Sequence, residues 1–197
     1  MTEHTRKVIG NIALSLDGRI NGRGGEYDMS WILPHAVTDT TRDYLVQMTH
    51  NATTALLGRK NYEGFGGYWP AVANDDTAEP RDRAFARWLE SVEKVVVSRT
   101  LQETPWQNSR IARDLVAEVK QLRTAPGGDI IAMSSSSIIR ALLAADELDR
   151  LTINLCPELV GGGARLFEDG LPPSSWSLAS LTTSETSATY LVYDRVR

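Results

Sequence analysis

The 197-residue chain has one cysteine, Cys156, and three histidines. One cysteine cannot form an internal disulfide, and it excludes a zinc cluster built from cysteines, so we expect no metal site. No apolar run is long enough to cross a bilayer and no signal-peptide pattern follows the polar start of the chain, which predicts a cytoplasmic protein without membrane contacts. Runs of lysine and arginine are also missing, and a net charge of −4 argues against nucleic-acid binding.

The chain does contain a regular alternation of apolar, β-branched segments with segments of helical period. The predicted strands are 7–16, 53–58, 94–98, 129–133, 148–156, 176–186 and 188–196. The predicted helices are 35–50, 81–90, 112–123 and 134–145, with glycine-rich loops at 19–30 and 62–74. This order predicts one α/β domain over residues 1–197, with a mostly parallel sheet covered on both faces and an antiparallel C-terminal edge.

Polar and basic residues follow three of the predicted strands: Gly58-Arg59-Lys60-Asn61, Ser98-Arg99-Thr100 and Ser134-Ser135-Ser136-Ser137. Ligands of open parallel sheets bind beyond the carboxyl ends of the strands. A helix that starts among serines presents free N–H groups to a phosphate, although the serines are equally explained as N-caps. Arg59 and Arg99 are each explained as solvated surface charge, but together they favour the 2′-phosphate of NADP over NAD.

The usual dinucleotide fingerprint, G-x-G-x-x-G after the first strand, is missing. Gly161-Gly162-Gly163 follows a late strand and has no helical pattern behind it. We therefore interpret the three glycines as a structural turn.

Five segments resemble the reductase domain of the bifunctional riboflavin-biosynthesis deaminase-reductase and the related stand-alone dihydrofolate-reductase-like proteins. In chain order they are ALSLDG at 13–18, LLGRKNYE at 56–63, KVVVSRTL at 94–101, DIIAMSSSS at 129–137 and DRLTINLCPELVGGGARLF at 149–167. The resemblance covers nearly the whole chain. It implies a dihydrofolate-reductase-like three-layer α/β/α fold with about eight strands, NADPH lying across the strand ends, and a homodimer.

The resemblance also implies a role for individual positions. Ala13 meets the nicotinamide through its backbone, and Trp31 flanks the nicotinamide and the substrate. The remaining cofactor positions are Gly58, Arg59 and Asn61 for the diphosphate and ribose, Ser98 and Arg99 for the adenine ribose and 2′-phosphate, and Ser134, Ser135, Ser136 and Ser137 around the diphosphate.

The chain departs from the family pattern in three places. The family has glycines among the positions of Ser134–Ser137, and the riboflavin reductases carry a carboxylate near the position of Ala132. The first departure bears on cofactor affinity, because serine takes room where backbone approaches the cofactor. The second bears on the identity of the pyrimidine. The deaminase half is absent, since its zinc signature needs cysteines that the chain lacks.

Asp39 and Asp43 are the candidate catalytic residues, and Asp43 is also a candidate substrate ligand. They are spaced i,i+4 and share one face of the first helix, where folate reductases place a carboxylate. Aligning Trp31-Ile32-Leu33-Pro34 with those enzymes puts that position nearer Ala36, so the match to Asp39 is loose. Solvent-facing charges near a helix start explain the two aspartates as well. Water or His35 are the other possible proton sources.

The sequence thus predicts an NADPH-dependent reductase that acts on a small pyrimidine- or pterin-type heterocycle. The first choice is a 5-amino-6-(5-phosphoribosylamino)uracil reductase-like activity in riboflavin biosynthesis, for which a basic group near Arg42 is expected to meet the substrate phosphate. The alternatives are a dihydrofolate-type reductase and a non-catalytic nucleotide-binding protein on the same scaffold.

Overall fold

The computed structural model describes residues 6–197. The polar residues at the start of the chain, on which the expectation about a signal peptide depends, lie outside this range. Within it, no helix combines the length and the apolar character that crossing a membrane requires.

The centre of the fold is one eight-stranded sheet. Its strands are β1 (Val8–Ser15), β2 (Ala52–Gly58), β3 (Glu93–Val97), β4 (Ser109–Ala112), β5 (Asp129–Met133), β6 (Arg150–Cys156), β7 (Ser175–Thr183) and β8 (Thr189–Val196). The spatial order is β4-β3-β2-β5-β1-β6-β8-β7. The strands from β4 to β6 pair in parallel, whereas β8 pairs antiparallel with both β6 and β7. The predicted mostly parallel sheet with an antiparallel C-terminal edge is confirmed.

Helices cover both faces of the sheet. They are α1 (Leu33–Ala36), α2 (Asp39–Thr49), α3 (Arg59–Ala73), α4 (Pro80–Ser91), α5 (Leu115–Thr124) and α6 (Ser136–Ala144). Apolar residues of α5 and α6 pack on one face, in a cluster that includes Leu122 and Leu142. Residues of α2, α3 and α4 pack on the other face, in a cluster that includes Phe85 and Leu89. The result is the predicted three-layer α/β/α arrangement.

The loop predicted at 62–74 is wrong, because residues 62–73 belong to α3. Three glycines and Pro70 lower the helix propensity of the segment. Tyr62, Phe65 and Trp69 nevertheless recur at helical spacing and pack against the α4-side core, where Trp69 meets Phe85 edge-on at 4.8 Å between ring centroids. Burial of these aromatic side chains outweighs the local preference against a helix.

Two further boundaries differ from the sequence-based expectation. The helix predicted at 35–50 is interrupted at Val37 and Thr38, and the Thr38 side chain accepts the N–H of Thr41 to start α2 anew. The helix predicted at 112–123 starts later, capped by Asp114, because the preceding residues form the edge strand β4. β4 has four residues, of which only Ala112 is buried, and this pattern is too short for a strand to be predicted.

Candidate active site

β1 and β5 stop pairing before the carboxyl end of β1, and we call the space beside β1 beyond the end of β5 the cleft. β1 pairs with β5 only as far as Asn11 and Met133, while its pairing with β6 continues to Ser15. The C=O of Asn11 accepts the N–H of Ser134 at 2.8 Å, so Asn11 faces the β5 side. Alternate residues of a parallel strand face the same neighbour, which directs the backbone of Ala13 to that side, beyond the end of β5. Ala13 is the one half-buried residue in an otherwise buried β1.

Two helices begin beside this cleft. Gly58 precedes α3 and Ser135 precedes α6, and neither residue caps its helix with a side-chain hydrogen bond. The capping explanation of the serines therefore does not hold for Ser135. The first-turn N–H groups of both helices remain available at the same edge of the sheet, because β2 and β5 are neighbours.

The buried Ser135 hydroxyl links the two helix starts. Its Oγ donates to the C=O of Met133 at 2.9 Å and accepts the N–H of Gly58 at 3.0 Å. The amide of Asn61 donates to the same C=O at 2.9 Å and to the same Oγ at 3.2 Å. Three of the predicted cofactor residues, Gly58, Asn61 and Ser135, are thus part of one rigid hydrogen-bonded cluster.

Ser134 leaves β5 in a left-handed conformation, with φ of 48°. This region of backbone space favours glycine, which gives a conformational reason for the family glycine in this stretch. Ser134 and Ser137 are exposed and Ser136 is half-buried. Of the four predicted serines, Ser135 is therefore fixed in the structure, and the other three border the open edge.

The two candidate arginines follow neighbouring strands, Arg59 after β2 and Arg99 after β3. Nη1 of Arg59 is 3.3 Å from Oγ1 of Thr100, the residue after Arg99. Arg59 also pairs with Glu63 at 2.8 Å, an interaction that raises its pKa. Arg99 is exposed, and within residues 6–197 no carboxylate pairs with it. Arg99 is thus the cation available for a phosphate at this edge.

Ser98 organises the turn that presents Arg99. Its buried hydroxyl accepts the N–H groups of Thr100 and Leu101 at 3.3 and 3.0 Å. The guanidinium of Arg113 donates to the C=O of Ser98 at 2.7 Å. Both contacts fix the backbone on which Arg99 stands, so the observed role of Ser98 is to support the arginine.

The segment between β1 and α1 folds over the start of α3. Glu26 in this segment forms an ion pair with Lys60 in the first turn of α3. Trp31 follows in a short helical turn, and its indole N–H is buried without a hydrogen-bond partner among the described residues. Buried donors are nearly always paired, so the indole N–H of Trp31 is an exception to that rule among the described residues.

The structure does not bring Asp39 and Asp43 to the strand ends. Both carboxylates pair with Arg81 at the start of α4, and their side chains are 71% and 69% exposed. These contacts join α2 to α4 on the surface. Asp43 lies 3.0 Å from Nη1 of Arg81, and this ion pair explains its position without any ligand.

A pair that the sequence did not reveal joins the buried His35 to the partly exposed Glu158. His35 is 4% exposed, with Nδ1 2.8 Å from Oγ1 of Thr186 and Nε2 3.2 Å from Oε1 of Glu158. The C=O of Glu158 accepts the N–H of Leu16 at 2.9 Å, which ties this pair to the end of β1. Only the fold brings Glu158 to His35, since 123 residues separate them.

Asp17 joins the segments that follow β1 and β6. Its carboxylate accepts the hydroxyl of Ser15 at 2.7 Å and the N–H groups of Val160 and Gly161 at 3.1 and 2.9 Å. These hydrogen bonds, chiefly that from Ser15, hold the pKa of Asp17 well below its usual range. The carboxylate is thus an anchor for the glycine turn, as the interpretation of Gly161–Gly163 as structural requires.

The model of the RibD C-terminal domain matches residues 6–190. Protein YyaP of Bacillus subtilis (strain 168), whose function is uncharacterized, is 29% identical over 188 residues, which cover 95% of this chain and 94% of YyaP.

Solved structures show the same fold at low identity. A putative riboflavin biosynthesis protein from Shewanella sp. PV-4 has a TM-score of 0.72 at 22% identity, over 97% of this chain and 99% of that one. The deaminase/5-amino-6-(5-phosphoribosylamino)uracil reductase of Thermotoga maritima has a TM-score of 0.67 at 15% identity, and the match covers 99% of this chain and 58% of that one. Dihydrofolate reductase from Enterococcus faecalis, complexed with NADP(H), has a TM-score of 0.57 at 16% identity, and the match covers 97% of both chains. Because the family model spans nearly all of the chain, the protein belongs to the RibD C-terminal domain family.

Proposed function

We propose that this protein is an NADPH-dependent reductase of a pyrimidine- or pterin-type heterocycle. The observation that carries the proposal is the convergence of two uncapped helix starts, of α3 and α6, with the unpaired Arg99 beside a cleft at Ala13. Free N–H groups at helix starts bind the phosphates of a dinucleotide, and an arginine favours a 2′-phosphate. Within this class, a 5-amino-6-(5-phosphoribosylamino)uracil reductase-like activity in riboflavin biosynthesis is our first choice, because the family and the Thermotoga relative point to it.

The residues around the cleft suit NADPH without rearrangement of the sheet. In our assignment the first turns of α3 and α6 hold the diphosphate, with Ser134, Ser136 and Ser137 at the open edge and Asn61 and Ser135 fixing the two helix starts. Arg59 and Arg99 hold the 2′-phosphate end, and Ser98 positions Arg99. The backbone of Ala13 meets the nicotinamide amide.

When bound there, the cofactor supplies a hydride, and the protein's part is to position the acceptor carbon and provide a proton. We assign Trp31 to the face of the substrate, with its indole N–H as a donor to a substrate oxygen or nitrogen. We assign the proton to the His35–Glu158 pair or to water that reaches it. Asp39 and Asp43 anchor α2 to α4 in this assignment, so Asp43→Asn leaves turnover unchanged.

The first experiment is a titration of tryptophan fluorescence with NADPH and with NADH. We expect tighter binding of NADPH, and a loss of that preference in Arg99→Ala, because this variant removes the cation for the 2′-phosphate. Arg87→Ala is the matched control, since Arg87 is exposed on α4 and within residues 6–197 has no carboxylate partner. Absence of binding by either nucleotide at millimolar concentration would contradict the proposal.

Turnover is tested separately, by following NADPH oxidation with aminopyrimidines and dihydropterins. Oxidation with a ribosylaminopyrimidine supports the first choice, and oxidation with dihydrofolate alone supports the dihydrofolate-type alternative. NADPH binding without oxidation by any of these substrates supports a non-catalytic nucleotide-binding protein. The folate alternative has less support from the site, because the Trp31–Pro34 alignment places the pterin carboxylate nearer Ala36, and Asp39 and Asp43 pair with Arg81.

Self-association and a one-domain organisation over residues 1–197 complete the proposal. β7 pairs only with β8, and Leu178 and Leu181 on it are 50% and 56% exposed. An edge strand with exposed apolar side chains is a surface on which a second copy can pack, so we propose a homodimer through this edge. Light scattering gives the mass in solution, and a monomer at micromolar concentration would refute this part.

A further inference from the structure

Asn154, in the middle of β6, is the residue in register with Ala13 of β1. Ile12 and Ile153, which precede these two residues in the chain, pack into the core on the α5/α6 side. Because successive residues of a strand point to opposite faces, Ala13 and Asn154 both face the α2 side. Asn154 is thus adjacent to the position assigned to the nicotinamide.

Three of the four neighbours of Asn154 on this face of the sheet are closed to solvent. Thr152 precedes it and Cys156 follows it on β6, and Tyr190 stands opposite it on β8. Their exposed fractions are 2%, 0% and 2%. Ala13, the fourth neighbour, is half-buried. The opening beside Asn154 is therefore on the side of Ala13.

The amide of Asn154 has hydrogen-bonding capacity that the described residues do not use. Among residues 6–197, Oδ1 has a single weak contact, with Sγ of Cys156 at 3.9 Å, and the NH2 group donates to no acceptor. Buried polar side chains are nearly always hydrogen-bonded. Because Asn154 is 9% exposed, its amide departs from that rule and remains free to bind a molecule at Ala13.

The other side chains on this face around Ala13 are paired or apolar. Asn11 and Ser15, which flank Ala13 on the same face of β1, already make side-chain hydrogen bonds at 3.0 and 2.7 Å. β5, whose end borders the cleft, finishes in Met133, which packs into the α4-side core. Asn154 therefore supplies the free polar group at this level of the sheet.

The spacing of the strands lets one heterocycle reach both Asn154 and the cleft. Neighbouring strands lie about 4.8 Å apart, and the cleft takes the place of a strand beside β1, so its centre is roughly 10 Å from β6. A ring that contacts Asn154 with one edge thus has its other edge beside a nicotinamide held in the cleft.

We propose that Asn154 determines substrate specificity by binding a neutral ring amide of the heterocycle, a C=O beside an N–H, an inference that rests on the proposed function. A carboxamide presents one acceptor and one donor side by side, whichever way its two ends are turned. This pair is complementary to the C=O and N–H of a uracil-type ring. A site of this kind rejects an analogue that leaves its buried polar groups unpaired. Arg42, expected from the sequence to meet a substrate phosphate, already pairs with Asp82 at 3.1 Å, which leaves it no free charge for that task.

The lack of charge on Asn154 separates this mode of recognition from that of a carboxylate. A carboxylate only accepts hydrogen bonds, so it pairs with two donors, such as the ring N–H and the exocyclic NH2 of a protonated 2-amino ring. Against that edge, the NH2 group of Asn154 would meet another donor. We therefore expect uracil-type rings to bind better than protonated 2-amino rings.

The test is calorimetric titration of the intact protein with 5,6-diaminouracil and with 5,6-diamino-1,3-dimethyluracil, in which methyl groups replace the ring N–H hydrogens. Wild type should bind 5,6-diaminouracil roughly tenfold or more tightly, because the methylated ring leaves the acceptor of Asn154 unpaired. Asn154→Leu, similar in size but without hydrogen-bonding groups, should weaken 5,6-diaminouracil binding by about the same factor and abolish the discrimination. Asn51→Leu, at an exposed asparagine before β2 and at the opposite end of the sheet, should leave both affinities unchanged.

A spectroscopic measurement on wild type makes the test independent of how well Asn154→Leu folds. In nitrogen-15-labelled protein, the side-chain NH2 signals of Asn154 are assigned by their absence from Asn154→Asp. They should shift on addition of 5,6-diaminouracil, because the amide gains a hydrogen-bond partner. Signals that stay in place while the ligand binds would overturn the proposal.

Equal affinity of wild type for the two uracils, discrimination retained in Asn154→Leu, or no binding of 5,6-diaminouracil at millimolar concentration also overturns the proposal. Turnover separates this outcome from failure of the proposed function. NADPH oxidation by a ribosylaminopyrimidine with the same KM in wild type and Asn154→Leu leaves the reductase standing and refutes the role of Asn154. Discrimination that depends on Asn154, without NADPH oxidation by any heterocycle, leaves the ring site standing and refutes the reductase.

Discussion

Lys94 offers a direct test of how the core tolerates a charge. Its side chain is fully buried at the start of β3, with Nζ 2.6 and 2.9 Å from the C=O groups of Leu89 and Val92, near the end of α4. Nζ also lies 4.7 Å from the ring centroid of Trp106. Despite these contacts, burial lowers the pKa of Lys94 from 10.5 to about 8. The perturbation is Lys94→Met, which keeps the length of the side chain and removes its charge.

The magnitude follows from the two pKa values. Below pH 8 the lysine is charged in the folded and the unfolded chain, and above 10.5 it is neutral in both. Between these values the unfolded chain binds more protons, so the free energy of unfolding rises with pH. At 1.36 kcal/mol per pKa unit, the full rise is about 3 kcal/mol. At pH 7 the variant should lie within a few kcal/mol of wild type, because removing the charging cost is offset by the C=O groups left unpaired.

Urea unfolding of wild type and variant at several pH values from 7 to 10.5 measures this difference. Burial also raises the pKa values of Cys156 and Tyr190 to about 12, which makes both proteins less stable as pH rises. That effect cancels in the difference between wild type and Lys94→Met. Lys120→Met, at an exposed lysine of α5, is the control. A wild-type-minus-variant difference that stays flat between pH 8 and 10 would refute the reasoning.

Three further substitutions, with Ser137→Ala as a control, test the cleft and the core by urea unfolding. Ser134→Gly should stabilise by up to about 1 kcal/mol, because it relieves a left-handed conformation, and should tighten NADPH binding; a loss of stability would contradict the strain at φ 48°. Ser135→Ala should cost about 1–3 kcal/mol, since the N–H of Gly58 loses its acceptor, whereas Ser137→Ala should have little effect. Leu142→Ala, at a fully buried position of α6, should cost about 2–5 kcal/mol, and a smaller cost would mean that the helix repacks.

The sequence was sufficient for seven of the eight strands and insufficient for the edge strand β4 and the helix α3. Continuous runs of β-branched residues, such as those of β3 and β5, are buried on both faces and predict their strands directly. α3 was missed because its glycines and Pro70 oppose a helix locally, and its stability comes from tertiary packing of Tyr62 and Trp69. Local patterns carry no information about that packing.

The candidate site was predictable where its residues sit at strand ends, and otherwise not. Gly58, Asn61 and Ser135 were expected at one edge, and the structure links them by hydrogen bonds. The His35–Glu158 pair was not found, because it depends on a contact between residues far apart in the chain. The sequence also did not predict that the Ser135 hydroxyl leaves the start of α6 uncapped. The hydroxyl instead hydrogen-bonds to Gly58 and Met133, which the pairing of β2 with β5 brings together.

The cleft at Ala13 has a consequence for how freely this protein can change its sequence. It exists because two adjacent strands stop sharing hydrogen bonds after Asn11 and Met133, and a molecule entering it meets main-chain atoms first. Main-chain atoms are the same whichever side chains surround them. Substitutions of the surrounding side chains can therefore accumulate while these main-chain groups stay in place. Short side-chain motifs are poor identifiers of such a site, whereas the point at which β1 and β5 separate identifies it in this structure.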